Sequence, residues 1–294
     1  MPVSVAHWTV GKGESFSPRD VLVGCLLVAF VWALVPMGSH AERPSATGSL
    51  APLRSADRAA DSLKARDEIV FSSILSVREP VDSNRVPMRL GDTVAVAGRA
   101  SVAAGRFGDA RRVFLQHRDV GIALHLPDST AGPSPRIARG DSVWARGVVD
   151  QSLGLTVLRV LDYGVPDTPP EPPSPVVASL ESARGERYES SLVHLHGKVS
   201  TVGANRGGKY LLLRTPETEQ VLSIFVVNEQ LRHFDLDAFE AGDRVEVTGV
   251  LVQHDFTAPY DDYYEVYPRT TDDLVRVAAS AQTYRNLGIG AAAL

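Results

Sequence analysis

Arg112, Phe114, Gln116 and Arg118 alternate along one short run of the chain, and His125 follows on the next. Alternate side chains of an extended strand share one face. One face should therefore carry an aromatic ring between two guanidinium groups, with an amide and an imidazole beside them. That set suits stacking on a base or contact with an anionic polymer, either nucleic acid or an acidic oligosaccharide. A second set repeats the pattern with less positive charge: Tyr210, Leu212, Arg214, Ser223 and Phe225.

Other clusters are open to chemical readings. His254, Asp255, Asp261, Asp262 and Glu265 crowd one segment, and oxygen ligands at that density could hold calcium. Their spacing matches no EF-hand loop, and an acidic, proline-containing surface loop is the plainer reading. His194 and His196 share a strand face but have no evident third ligand. Gly203 to Tyr210 comes within one residue of a phosphate-binding loop, with Tyr210 where Ser or Thr would bind magnesium. Such a loop must open a helix, whereas Tyr210-Leu211-Leu212-Leu213 reads as a strand, so a hairpin turn is expected. No Gly-x-Ser-x-Gly elbow, metal-binding cysteine pair or His-Glu-x-x-His run is present. The chain is therefore read as non-enzymatic and free of cofactors. A metal-assisted hydrolase built on the 254–265 cluster is a third, lesser reading.

The elements that position these residues follow from a repeat. Gly-Asp-x-Val-x-x-x-Gly occurs at Gly91–Gly98, Gly140–Gly147 and Gly242–Gly249, and Val94-Ala95-Val96-Ala97-Gly98 is echoed by Val193-His194-Leu195-His196-Gly197. Apolar alternation places strands of the second copy near Leu192–Val202, Tyr210–Thr215, Val221–Val227, Arg244–Gln253 and Tyr263–Tyr267. Between the third and fourth lies 228–239, with Asn228 as helix cap and Leu231, Phe234 and Ala238 at helical spacing. Five strands with a helix between the third and fourth are the arrangement of an OB barrel. In the first copy Pro133 and Pro135 replace that helix by a loop, while Ile122, Leu124 and Leu126 match Leu222, Ile224 and Val226 as inward residues. The fold class expected is mainly all-β: two tandem five-stranded OB-like β-barrels after an N-terminal transmembrane or signal helix.

That helix is the run Val21–Met37, in which every residue is apolar or small. Seventeen residues make a helix of about 26 Å, marginal for a bilayer core. A signal peptide cleaved after Ala41 and an uncleaved anchor both fit. Lys12 and Arg19 before it balance Arg43 and Arg54 after it, so charge does not set the orientation. Cys25, the single cysteine, lies inside the run, so no disulfide forms within one molecule. The expected organisation is a signal peptide or anchor at 1–41, a stalk at 42–84 and a first barrel at 85–165. A proline-rich linker at 166–178 leads to a second barrel at 179–277 and a tail at 278–294. Six of the ten residues from Pro166 to Pro175 are proline, so the linker should hold its flanks apart as a semi-rigid spacer. The tail ends Leu287-Gly288-Ile289-Gly290-Ala291-Ala292-Ala293-Leu294, and a frayed end or the start of a second membrane helix both fit.

Charge separates the copies. From Arg85 to Val165 there are 11 Arg and 7 Asp with no Lys or Glu, a formal +4; from Val176 to Val277, 10 basic residues face 17 acidic ones, a formal −7. The whole chain is at −5, which argues against a surface devoted to nucleic acid. The first barrel can attract an anion, or it can pack on the acidic barrel or a partner.

The runs Val113-Phe114-Leu115-Gln116 through Gly121-Ile122-Ala123-Leu124, and Tyr264-Glu265-Val266-Tyr267-Pro268-Arg269 with Asp272-Asp273-Leu274, resemble bacterial extracytoplasmic tandem OB-fold modules. Such modules occur in the N-terminal input region of some membrane sensor histidine kinases. The resemblance covers roughly residues 85–277 and implies a fold more than an activity. It implies a sensory or interaction module tethered to a membrane, facing the periplasm or exterior, with a protein partner or self-association. The alternative is an exported OB protein that grips nucleic acid or acidic glycan through the first barrel.

Overall fold

The computed structural model describes residues 69–79, 81–128, 136–214 and 221–279. The expected leader, most of the stalk and the apolar C-terminal run lie outside the described residues. Among the described residues no helix is long and apolar enough to cross a membrane.

The first helix among the described residues is a single turn, α1 (Ile74–Arg78), capped by the Ser73 hydroxyl, which accepts a hydrogen bond from Ser76 N at 3.1 Å. A helix this short has no stability of its own. It persists because Ile74 and Val77 enter the core of the first barrel. The segment expected to be stalk therefore supplies barrel core from Ile74 onward.

Barrel 1 is built from β1 (Thr93–Ala100), β2 (Arg112–His117), β3 (Val120–His125), β4 (Ser142–Ser152) and β5 (Leu155–Gly164), closed in the order β1-β2-β3-β5-β4. A two-residue strand, β6 (Val176–Val177), then leads into barrel 2: β7 (Leu192–Ala204), β8 (Gly208–Arg214), β9 (Val221–Val227), β10 (Arg244–Gln253) and β11 (Tyr264–Pro268). These close in the same order, β7-β8-β9-β11-β10, with a final strand β12 (Leu274–Ala278) laid on β10. In both barrels the third and fifth strands pair in parallel and the first and fourth antiparallel. These are two closed five-stranded OB-like barrels in tandem.

The repeat has a structural meaning. Val94 pairs with Gly147 and Gly98 with Val143; in barrel 2, Val193 pairs with Gly249 and Gly197 with Val245. Each of these four glycines thus faces a valine of its partner strand, in the same register in both barrels. Strand alternation also holds. Ile122, Leu124 and Leu126 enter one core, and Leu222, Ile224 and Val226 enter the other.

Two expectations are corrected. Residues 228–239 form two 3-10 turns, Asn228–Gln230 and Leu236–Ala238, and not one helix. Phe234 and Leu236 are both buried in the barrel 2 core, and residues two apart cannot share one face of an α-helix. Asn228 does not cap; its side-chain amide donates instead to Arg206 O at 2.7 Å. The proline-rich segment, in turn, does not hold the barrels apart. It lies along barrel 1, with Glu171 N donating to Gly140 O at 2.9 Å, while the barrels pack directly on one another.

Candidate functional site

The outward faces of β2 and β3 in barrel 1 and of β8 and β9 in barrel 2 are where the sequence placed its binding residues. The fold turns them toward each other. Eleven buried apolar residues from both barrels form one cluster: Val102, Phe114, Ala123, Leu155 and Val157 on one side, and Leu192, Phe225, Val227, Val250, Val252 and Tyr267 on the other. Tyr267 is the hub. Its ring lies 5.3 Å from Phe107 at 87° and 5.5 Å from Phe225 at 31°, and Phe107 meets Phe114 edge-on at 5.9 Å. Burial, then the nearby Glu265 carboxylate, push the Tyr267 phenol above its ordinary range.

Phe114 does point out of its own barrel core, but only 1% of it is exposed, because barrel 2 covers it. Base stacking on an aromatic ring is worth about 1–3 kcal/mol. Burying each large apolar side chain contributes about 1.5–3 kcal/mol, and the joint holds eleven apolar residues. The joint wins, so Phe114 and Phe225 are structural here.

Gln116 is drawn into the same joint. Its Oε1 accepts from Leu192 N at 2.7 Å, and its Nε2 donates to Arg118 O at 2.6 Å and Ser174 O at 3.0 Å. Further polar ties are Gly121 N to Ser191 Oγ at 2.8 Å, Asp255 N to Leu153 O at 2.8 Å and Arg106 Nε to Arg269 O at 2.6 Å. The buried Arg269 fork grips Asp273 through Nε and Nη2 at 2.9 and 2.8 Å. Burial alone would raise the Asp273 carboxyl, yet these bonds and the Arg269 charge hold it below the usual carboxylate range.

The other expected residues scatter. Arg112 is half-buried, 3.9 Å from Asp109, and His125 is exposed opposite it across β2 and β3. Tyr210 is half-buried against the joint, Leu212 is half-buried, Arg214 is exposed at the end of β8, and the buried Ser223 hydroxyl has no partner. Gly203 to Tyr210 is the β7–β8 hairpin, in which Asn205 Oδ1 accepts from Gly207 N and Gly208 N.

The 254–265 cluster does not converge on a metal. Asp255 is buried and braces its loop by accepting from Thr257 N and Asp262 N, Asp262 pairs with Arg184, and Asp261 faces solvent. His254 Nδ1 lies 3.0 Å from Glu265 Oε2, which also accepts from the Tyr267 hydroxyl. His194 pairs with Thr248 at 3.0 Å, and His196 is exposed. Among the described residues no three His, Cys, Asp or Glu gather closely enough to hold an ion.

What sequence reasoning missed is a cleft of about 510 Å³ between barrel 1 and the proline segment, lined by Gly98, Arg99, His117, Arg118, Glu171 and Pro172 among others. The segment comes this close because Gly140 has no side chain; a Cβ there would sit 2.8 Å from Pro172 N. Arg99 spans the cleft, donating to Gly140 O and Pro169 O and pairing with the exposed Glu171 at 3.3 Å. Arg118 sits at the β2–β3 turn with φ +57° and its guanidinium free of any partner among the described residues. The signal was present in the sequence: Glu171 is the one glutamate inside the proline run. Among the described residues no close side-chain ion pair joins one barrel to the other.

No family model matches the chain, and no curated protein matches it. Among solved structures it is similar to OBody AM3L09 bound to hen egg-white lysozyme, with 16% identity over 31% of this chain and 86% of that one, at a TM-score of 0.26. It is also similar to asparaginyl-tRNA synthetase from Pyrococcus horikoshii, with 18% identity over 36% of this chain and 24% of that one, at a TM-score of 0.27. The hypothetical protein ygiW from E. coli shows 12% identity over 33% of this chain and 89% of that one, at a TM-score of 0.25.

Proposed function

We propose that the chain is a non-enzymatic, membrane-associated extracytoplasmic module that senses or binds through its outer surfaces, as the input region of a bacterial signalling receptor would. The observation that supports this is the joint. Outer faces that OB barrels commonly use for ligands are spent here on fixing two barrels to each other. A double barrel built that way moves as one body, which suits relaying a displacement better than wrapping a polymer. The apolar run Val21–Met37 supplies the tether in this reading. The test is a fusion of alkaline phosphatase, active only outside the cytoplasm, after Ala279 of the full chain. Active enzyme that stays with membranes through an alkaline carbonate wash is expected. An inactive fusion, or one released by the wash, overturns the reading.

A second reading, anion binding by barrel 1, is favoured by one observation: Arg118 stands unpaired at a cleft whose other guanidinium, Arg99, is held by the exposed Glu171. An anionic ligand would displace Glu171. The cleft lining offers only His117 as a stacking ring, with no Phe, Tyr or Trp beside it, so this reading takes an acidic oligosaccharide over a nucleic acid. Polygalacturonate binding that weakens with salt and falls at least tenfold in Arg99→Gln/Arg118→Gln is expected. Unchanged affinity in the double variant defeats it.

A further inference from the structure

The lead-in segment meets both barrels at a buried cluster of charge. Arg78, the last residue of α1, is 2% exposed. Its Nη1 donates to Glu189 O, and its Nη2 donates to Glu186 O at 2.7 Å and Arg187 O at 3.0 Å, so one side chain ties α1 to the turn that precedes β7. Glu189 is fully buried. Its Oε1 accepts from Thr156 N of β5 at 2.9 Å, which links the same turn to barrel 1. Glu189 Oε2 is buried with no partner, as is Arg78 Nε. Glu186 Oε1 accepts from the Tyr264 hydroxyl of β11 at 2.9 Å.

The groups that face this cluster are few. Arg78 comes from α1, Arg85 acts on Glu186 and Tyr264 from the turn before β1, and Tyr264 comes from β11. β5 contributes only the uncharged Thr156, and the Arg187 guanidinium is turned away over the Tyr188 ring at 5.2 Å. Two carboxyls therefore share essentially one buried guanidinium. With both ionised, the pocket carries an excess negative charge and an unserved oxygen out of water, which is costly. With one proton on Glu189, the pocket is neutral.

We propose that this joint is a proton-operated latch: protonated Glu189 lets Arg78 clamp α1 onto both barrels, and its ionisation loosens α1 and the chain leading into it. The direction of titration agrees. Burial, opposed by Arg78 and reinforced by Glu186, pushes the Glu189 carboxyl up to about 8, and burial raises Glu186 as well. A carboxyl raised on folding stabilises the fold fully below its unfolded value near 4.5, and that contribution is lost as pH climbs toward 8. The latch is thus closed in acid and opens through neutral to mildly alkaline pH. It does not depend on where in the cell the chain resides.

The test is hydrogen exchange of the amides at 74–79 in the full chain between pH 6 and 9, corrected for the intrinsic rate. At least a tenfold loss of protection across that range is expected in the natural sequence. Glu189→Gln keeps the acceptor for Thr156 N without the charge, and should stay protected at pH 9. Protection in the natural sequence that does not vary with pH, or the same pH dependence in Glu189→Gln, overturns the latch. If Glu189→Gln does not fold, the carboxyl carbon of Glu189 followed by NMR in the natural chain decides: a midpoint above pH 7 supports the latch, and one below pH 5 overturns it.

Discussion

The two barrels begin their first strands with the same hydrogen bonds made by different residues. In barrel 1, Gly91 N donates to Val149 O and Val149 N to Asp92 O, both at 2.9 Å. In barrel 2, Ser190 N donates to Leu251 O at 2.8 Å and Leu251 N to Ser191 O at 3.0 Å. The turns at the other end of the ladder stayed alike. Asp141 Oδ2 accepts from Ala138 N at 2.8 Å and Asp243 Oδ2 from Glu240 N at 2.9 Å, with Gly140 and Gly242 at φ +90° and +101°. The difference lies in what each turn faces. Gly91 and Asp92 are exposed, whereas Ser190 and Ser191 are fully buried against β3 of barrel 1. Barrel geometry fixes the backbone of this turn, and the joint selects its side chains.

The largest effect is expected at Gly121. Strand matching puts Val221 of β9 at its equivalent, so a valine fits this place in an OB barrel of this very chain. At 121 a Cβ would sit 2.1 Å from Ser190 O and 2.3 Å from its carbonyl carbon, both backbone atoms that cannot swing aside. Gly121→Val should cost about 3 kcal/mol by overpacking. It should also split unfolding in urea, followed by circular dichroism, into two steps as the barrels part. A single step with a loss under about 1 kcal/mol would mean that the joint carries little of the stability.

Much of the architecture was legible because it is local. The Gly-Asp turn with its valine and closing glycine is written within eight residues, and inward alternation at Ile122, Leu124 and Leu126 needs only the strand itself. What covers the other side of a strand is not local. Alternation assigned Phe114 to the outside of its barrel, which is right, but cannot say that a second barrel sits there. A usable trace existed. Val250-Leu251-Val252 and Leu155 to Leu158 are apolar, or buried, on both faces, the pattern of strands covered on both sides. The 228–239 helix failed for a related reason: Leu231, Phe234 and Ala238 fit a helical period, but the core draws in Phe234 and Leu236. Arg78 and Glu189 gave no signal at all, since a buried pair 111 residues apart leaves no local pattern.

A smaller effect of opposite sign is expected at Ser190. Its φ of +59° lies in the left-handed region, where Gly91 stands at +88° in barrel 1. An L-residue held there costs about 1–2 kcal/mol. The buried Ser190 hydroxyl finds no partner, so removing it forfeits no hydrogen bond. Against this, glycine adds about 0.5–1 kcal/mol of chain entropy to the unfolded state. The balance favours Ser190→Gly by about 0.5–1 kcal/mol, read as a higher urea midpoint with an unchanged slope. If Ser190→Gly instead lowers the midpoint, the serine is holding something in the joint that glycine cannot, and the two turns are not equivalent.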